Sequence, residues 1–206
     1  MLHIIIGPMY AGKTSRLIHD VGNISDSKVV LDFETNDVEK CYKGTLKNHD
    51  DVQLQCIKCK HLFDTLSIYN VRDNLQLLHD EQSVFDLNLD PIKHSAFYEI
   101  PNLILYSKYI FINEAQFFPD LKAFVLEQLT KNKHIYIYGL DGDFQQNKMG
   151  QIMDLIPYCD DICKLKSKCS KCSNHAIFSH RITKDKQQYL VDENAYIPLC
   201  RKCIGI

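Results

Sequence analysis

Gly7-Pro8-Met9-Tyr10-Ala11-Gly12-Lys13-Thr14 has the spacing G-x-x-x-x-G-K-[ST], and the residues around it restrict what it can become. The apolar run Leu2–Ile6 precedes it as a short buried strand. Leu17, Ile18 and Val21 recur at helical spacing after it, over about Lys13–Val21. A strand, a glycine loop and a helix in that order form a phosphate cradle: the glycines let backbone N–H groups converge on phosphate oxygens, and the helix N-terminus adds partial positive charge. In such a loop Lys13 reaches the β- and γ-phosphates of a nucleoside triphosphate and Thr14 holds Mg²⁺. A chance turn with the same letters lacks the strand and helix on either side.

The rest of the chain supplies partners for this unit. Lys28–Phe33 and Tyr109–Asn113 read as a second and a third strand, Asp120–Thr130 as a helix and His134–Gly139 as a fourth strand. Strands that alternate with helices imply a parallel sheet covered on both faces. Beyond Leu140 the pattern changes to a loop, a short helix near Gln151–Ile156 and strand-like pieces at Asp161–Lys166, Ala176–Ile182 and Gln188–Val191. The expected architecture is therefore α/β, a P-loop parallel sheet flanked by helices over residues 1–160, with a small zinc-binding module over 161–206. From Glu34 to about Tyr98 the sequence is polar and cysteine-bearing, and only Asn70–Asp80 suggests a helix.

Composition narrows the function classes. The 206 residues suit one ordinary domain with a small appended module. Runs such as Ile4–Ile6 and Tyr109–Ile112 fall far short of the roughly 20 apolar residues of a membrane span, so a soluble protein with no membrane partner is expected. Residues 1–6 lack a basic leader and a small-residue cleavage site, which makes a cytoplasmic location the expectation. A net charge of −2 offers no general attraction to nucleic acid, which is not expected as a partner. Nine cysteines, an odd number with several in Cys-x-x-Cys pairs, favour metal ligation over disulfides.

Two constellations carry chemistry. Tyr109–Ile112 is a hydrophobic strand ending in Asn113-Glu114, which places Glu114 opposite the phosphate loop to take a proton from an attacking hydroxyl. A solvated or helix-capping glutamate is the plainer alternative. Cys169-x-x-Cys172 and Cys200-x-x-Cys203, 27 residues apart, can place four thiolates on one Zn²⁺. Four protein ligands leave no open position, so such a zinc is structural. Cys56-x-x-Cys59 with His61 and Cys41 is a weaker third set, and Cys159 and Cys163 read as packing residues. Lys164, Lys166, Lys168 and Lys171 form a modest basic cluster, more consistent with a solvated face than with a DNA footprint.

In this order the features resemble the thymidine kinase family of the zinc-lasso type. Members carry Gly-Pro-Met-[aromatic]-x-Gly-Lys-[Ser/Thr], Asp-Glu-[Ala/Gly]-Gln-Phe-Phe and Leu-Asp-Gly-x-Phe-Gln, matched here by Gly7–Thr14, Asn113–Phe118 and Leu140–Gln145. The resemblance covers 1–33 and 108–206. It implies a kinase that uses Mg-ATP to phosphorylate thymidine or a related deoxynucleoside, with a structural zinc and a homotetrameric assembly. It makes Glu114 the base for the nucleoside 5′-hydroxyl, with Lys13 and Arg181 as the other catalytic groups. Gly7, Pro8, Met9, Tyr10, Ala11, Gly12, Lys13, Thr14, Asn113 and Gln116 would serve the nucleotide and its metal. Met9, Phe117, Leu140, Phe144, Ser179 and Tyr196 would line the nucleoside pocket, and Thr183–Pro198 would be the lasso that closes over it.

The chain also departs from that pattern. Asn113 stands where an aspartate helps hold Mg²⁺, Gln146, Lys148 and Met149 alter a pocket wall, and Val191-Asp192 replaces a glycine pair in the lasso. Asn36–Tyr42 has no arginine where the family has Asp-x-Arg-Tyr, although His49-Asp50 matches a following His-Asp pair and makes Asp50 a candidate neighbour of the phosphates or metal. An insertion is expected within about 51–106. Asn113 and the missing arginine leave open a catalytically weakened nucleotide- or thymidine-binding relative, and the cysteine pairs leave open a P-loop ATPase with a DNA-binding zinc ribbon.

Overall fold

The computed structural model describes residues 1–36, 41–66, 100, 103–190 and 192–206. The central feature is a seven-stranded sheet built from β1 (Leu2–Ile6), β2 (Lys28–Phe33), β3 (Tyr42–Lys47), β4 (Gln53–Cys59), β5 (Tyr109–Ile112), β6 (His134–Gly139) and β7 (Asp161–Lys164). Their spatial order is β3-β4-β2-β5-β6-β1-β7, and every pairing is parallel except β3 with β4. β1 thus lies inside the sheet, between β6 and β7. Its near-continuous apolar sequence is what a strand buried on both faces requires.

The pleat divides the core in two. Leu2, Ile4, Ile6, Ile110, Ile112, Ile135 and Ile137 face one side, where they meet Phe124 and Val125 of α2 (Leu121–Thr130). Ile5, Val30, Phe111 and Tyr138 face the other, against Leu17 and Val21 of α1 (Lys13–Gly22). The same alternation splits the weaker cysteine set. Cys56 belongs to the α1 side and Cys59 to the α2 side, because an odd spacing on a strand reverses the face. Among the described residues only the C-terminal quartet gathers metal-ligating groups, so the Cys41, Cys56, Cys59 and His61 set does not form.

Three further expectations are revised. The polar, cysteine-bearing stretch contains the β3–β4 hairpin, an edge unit in which β3 buries Leu46 alone and β4 only Cys56, Ile57 and Cys59 of its second half, hence a weak hydrophobic signal. β7 pairs with β1, so the main sheet takes up the first residues of the segment assigned to the C-terminal module. Residues 188–190 form no strand. Instead β11 (Tyr196–Leu199) pairs antiparallel with β10 (Phe178–Arg181). Pro198, which cannot donate to a ladder, hides that strand in the sequence and is accommodated on a two-stranded ribbon. A second small ribbon joins β8 (Ser167–Lys168) to β9 (His175–Ala176), and the chain ends in the short helix α3 (Arg201–Ile204). The helix expected at Asn70–Asp80 and most of the expected insertion lie outside the described residues. Among the described residues no helix is long and apolar enough to cross a membrane.

Candidate active site

The glycine loop leaves the C-terminal end of β1 and feeds directly into α1. Gly12 caps that helix with φ 78°, a left-handed conformation that is cheap only without a Cβ. Lys13 is buried, and its Nζ donates to the Pro8 carbonyl at 2.9 Å. Burial lowers the lysine pKa from its ordinary value, and the carboxylates of Glu114 and Asp141 oppose that shift. The ammonium is thus stored on the loop's own backbone, beside two anionic groups, where an incoming phosphate would relieve its desolvation.

Glu114 follows β5 and Asn113 at the sheet's C-terminal edge, the edge at which open α/β sheets bind ligands. Its backbone is left-handed, φ 48° and ψ 38°, an uncommon conformation for a residue with a side chain. The kink turns the chain into the short helical segment Ala115–Phe117 and exposes the carboxylate to the cavity. Gln116, nearly fully buried, fixes the group: its Nε2 donates to Glu114 Oε2 at 2.6 Å, and its Oε1 accepts the Leu140 N–H at 2.9 Å. Close packing on Gln116 explains Gly150, where an added Cβ would lie 2.1 Å from the Gln116 carbonyl oxygen. Asn113 is buried and donates from Nδ2 to Asp32 Oδ1 at 2.8 Å.

The C-terminal module is fastened to the loop. Ser179 Oγ accepts the Met9 N–H at 2.9 Å, Ser167 Oγ donates to the Tyr10 carbonyl at 3.0 Å, and the Leu165 N–H bonds the Ile6 carbonyl at 2.8 Å. Cys169, Cys172, Cys200 and Cys203 place their sulfurs within 4.8 Å of one another, with Cys172 3.5 Å from Cys200 and from Cys203. Four sulfurs at tetrahedral zinc distances would stand about 3.8 Å apart, so the quartet fits a Zn²⁺ with little movement. Burial pushes the Cys169 thiol up, but the N–H groups of Cys200, Lys171 and Cys172 and the Cys172 thiol outweigh it and bring it to about 6. That favours the thiolate a metal needs.

Arg181 is placed differently from the expectation of a phosphate contact. Its buried guanidinium donates to the carbonyls of Asp185, Gln187 and Gln188 and to the Tyr196 hydroxyl, and lies 3.9 Å from the Phe144 ring centre. It staples the segment expected to be the lasso to the sheet of its own module, and it does not line the cavity.

One cavity of about 290 Å³ runs from the loop to that segment. Of the residues expected from the sequence, Met9, Tyr10, Ala11, Gly12, Lys13, Thr14, Glu114, Gln116, Phe117, Leu140, Phe144, Ser179 and Tyr196 line it. Gly7, Pro8 and Asn113 stand behind the lining, and Asp50 is exposed outside it, whereas His49 lines the cavity and stacks on Tyr10 at 5.8 Å. Sequence reasoning missed Phe33, Thr35, Asn48 and Gln188 in the wall. Phe33 ends β2 at the ligand edge and Thr35 follows it two residues on, so both were open to discovery on that ground. Asn48 was not, because it arrives on the β3–β4 turn, where its Nδ2 donates to Ser15 Oγ at 3.1 Å. In the basic cluster, Lys164 is paired with Asp141 at 2.5 Å, which weakens a DNA-binding ribbon further.

Comparison with known proteins agrees with this geometry. The sequence model of the family described as thymidine kinase matches residues 1–95 and 86–204. A thymidine kinase of Sheeppox virus (strain KS-1) is 30% identical over 206 residues, covering 98% of this chain and 95% of the relative. That of Vaccinia virus (strain Copenhagen) is 28% identical over 205 residues, covering 98% and 95%. A thymidine kinase of Oryza sativa subsp. japonica is 28% identical over 207 residues, and this chain spans 65% of its length.

Proposed function

The chain belongs to the thymidine kinase family, and on that premise we propose that it transfers the γ-phosphoryl group of ATP to the 5′-hydroxyl of thymidine, giving thymidine monophosphate. The observation that carries the reading is that Lys13 and Thr14 of the phosphate loop, Glu114, and Gln188, Leu190, Asp192 and Tyr196 of the C-terminal module line one cavity. A phosphate cradle, a candidate base and an apolar wall for an acceptor thus border the same space.

In this reading the phosphates displace the Pro8 carbonyl as the partner of Lys13 Nζ, and loop N–H groups and the α1 terminus spread the remaining charge. Glu114, held by Gln116, takes the proton of the nucleoside hydroxyl as its oxygen attacks phosphorus, and the phosphorus–oxygen bond to the ADP leaving group breaks. Thr14 would hold Mg²⁺, which would neutralise charge on the β- and γ-oxygens. Glu114 and Asp141, the carboxylates that face Lys13, suit a cation there. Met9, Phe117, Leu140, Phe144 and Tyr196 supply the apolar and aromatic wall for the nucleoside. Residues 1–160 with β7 serve ATP, and the remainder closes on the acceptor. Zn²⁺ on the four cysteines and Arg181 within the module hold the two ends of the lasso, so ordering it costs less on binding.

Incubation of the purified protein with ATP, Mg²⁺ and each deoxynucleoside in turn tests the reading. Thymidine should be phosphorylated fastest, and phosphorylation of none would sink it. The homotetramer implied by the resemblance is checked by a mass measurement in solution.

A further inference from the structure

β4, β2 and β5 are neighbours in the sheet, with β6 between β5 and the strand that carries the phosphate loop. At their C-terminal ends, one residue before Glu114 enters the cavity, Lys58, Asp32 and Asn113 form a polar row whose acidic and amide members are buried. Asp32 of β2 is paired in register with Lys58 of β4, and Asn113 extends β5 beside Leu31 through its N–H to the Leu31 carbonyl at 2.8 Å. Lys58 Nζ bonds Asp32 Oδ2 at 2.5 Å, and Asn113 Nδ2 bonds Asp32 Oδ1 at 2.8 Å. Asp32 and Asn113 are 4% and 6% exposed, so water cannot stand in for either partner. A carboxylate only accepts hydrogen bonds. The amide therefore has to present its NH₂ to Asp32, which turns its carbonyl oxygen away.

We propose that Asp32, anchored by Lys58, is a positioning residue for the phosphoryl-transfer site: it fixes the Asn113 amide in one orientation and supplies, from the neighbouring strand, the negative charge that position 113 itself lacks. The inference rests on the kinase reading above. It also reverses a simple expectation. Restoring an aspartate at 113 does not repair the site, because two carboxylates would then face each other at hydrogen-bond distance and one would have to take a proton or move away. Asparagine at 113 and aspartate at 32 are a matched pair, with Lys58 balancing the one charge they share. Lys58 also feels the Glu34 carboxylate, which is itself bonded by Tyr42 and Asn36, so its charge is not left unopposed when Asp32 changes.

The test is a double-mutant cycle on the full chain with Asn113→Asp, Asp32→Asn and the swap of both. Asn113→Asp alone should lower the thermal midpoint of the ligand-free protein by roughly 4 °C or more and turnover by about tenfold or more. The swap, which keeps one amide and one carboxylate, should recover at least half of both losses. Because it moves the charge from β2 to β5, it should also lower the Mg²⁺ concentration needed for half-maximal rate by roughly threefold. Additive midpoint losses, or a faster Asn113→Asp single variant, would overturn the proposal. Recovery of the midpoint with an unchanged Mg²⁺ requirement would reduce the row to a structural contact and overturn it as well. Should Asn113→Asp fail to fold, Asn113→Ala replaces it: Asp32→Asn must slow the wild type yet add nothing on that background, and equal slowing in both refutes the assignment. The midpoint cycle needs no turnover. A wild type inactive on every nucleoside would defeat the kinase reading while leaving the pairing itself measured.

Discussion

Ser179 Oγ accepts the backbone N–H of Met9 at 2.9 Å, a bond between residues 170 positions apart that ties the C-terminal module to the phosphate loop. Both residues line the same cavity. The bond fixes the position of the module relative to the loop. Ser179→Ala leaves the Met9 N–H without its partner at a cost of about 1–2 kcal/mol, or roughly 2–8 °C in thermal midpoint. The Michaelis constants for both ATP and the nucleoside should rise together, since the bond joins their two sites. An effect on the nucleoside alone, measured by steady-state kinetics, would separate Ser179 from the loop.

Glu114→Gln retains an oxygen for the Gln116 amide but cannot accept a proton. Turnover should fall by about 10²-fold or more, with a modest drop in thermal midpoint because the buried Lys13 ammonium loses one of the two carboxylates that face it. Near-normal turnover would remove Glu114 from the base role.

Lys13 illustrates a site that is strained in the empty protein. Burial holds its folded pKa below the ordinary 10.5, so the unfolded chain binds this proton more tightly. Stability of the wild type must then increase as pH rises through the folded value towards 10.5. Lys13→Met, which lacks the buried ammonium, should abolish turnover yet raise the ligand-free midpoint at pH 7 by roughly 1–4 °C. That advantage should shrink as the pH climbs. Melting curves across the alkaline range decide it, and a variant less stable than wild type at pH 7 would contradict the argument.

Arg181 separates two roles kinetically. Its guanidinium bonds the carbonyls of Asp185, Gln187 and Gln188, so if these belong to a lasso over the nucleoside Arg181→Gln should raise the Michaelis constant for the nucleoside by roughly tenfold and leave that for ATP nearly unchanged. Loss of turnover with a raised constant for ATP would instead place it at the phosphates.

Removal of metal tests the cysteine quartet. Purified protein should carry one zinc per quartet by elemental analysis, and a strong chelator under reducing conditions should lower the midpoint and open Thr183–Pro198 to proteolysis before the sheet. Cys172→Ser should do the same without chelator. A chain free of zinc and equally resistant would rule the structural metal out.

Local order made the centre of this protein readable from its residues. Gly7–Thr14, β1, α1, β5 and β6 are contiguous, and their apolar periods and glycines state both their conformation and their place in a parallel sheet. Spacing alone likewise announced the cysteine quartet, because a tetrahedral ion asks for two close pairs and little else. The strands hidden from such reasoning, β3, β4 and β11, bury only a few residues or contain a proline, so their pairing is settled by neighbours that the sequence does not adjoin. The same holds for side chains whose meaning depends on what lies across a strand or a fold. Asn113 reads in isolation as a lost charge. Beside Asp32 and Lys58 it is one member of a balanced row, and Arg181, which reads as a phosphate contact, spends its hydrogen bonds on the carbonyls of Asp185, Gln187 and Gln188 and on the Tyr196 hydroxyl. Residue types and short spacings are properties of the chain, whereas burial and charge balance are sums over groups brought together by packing, and only the folded molecule fixes those sums.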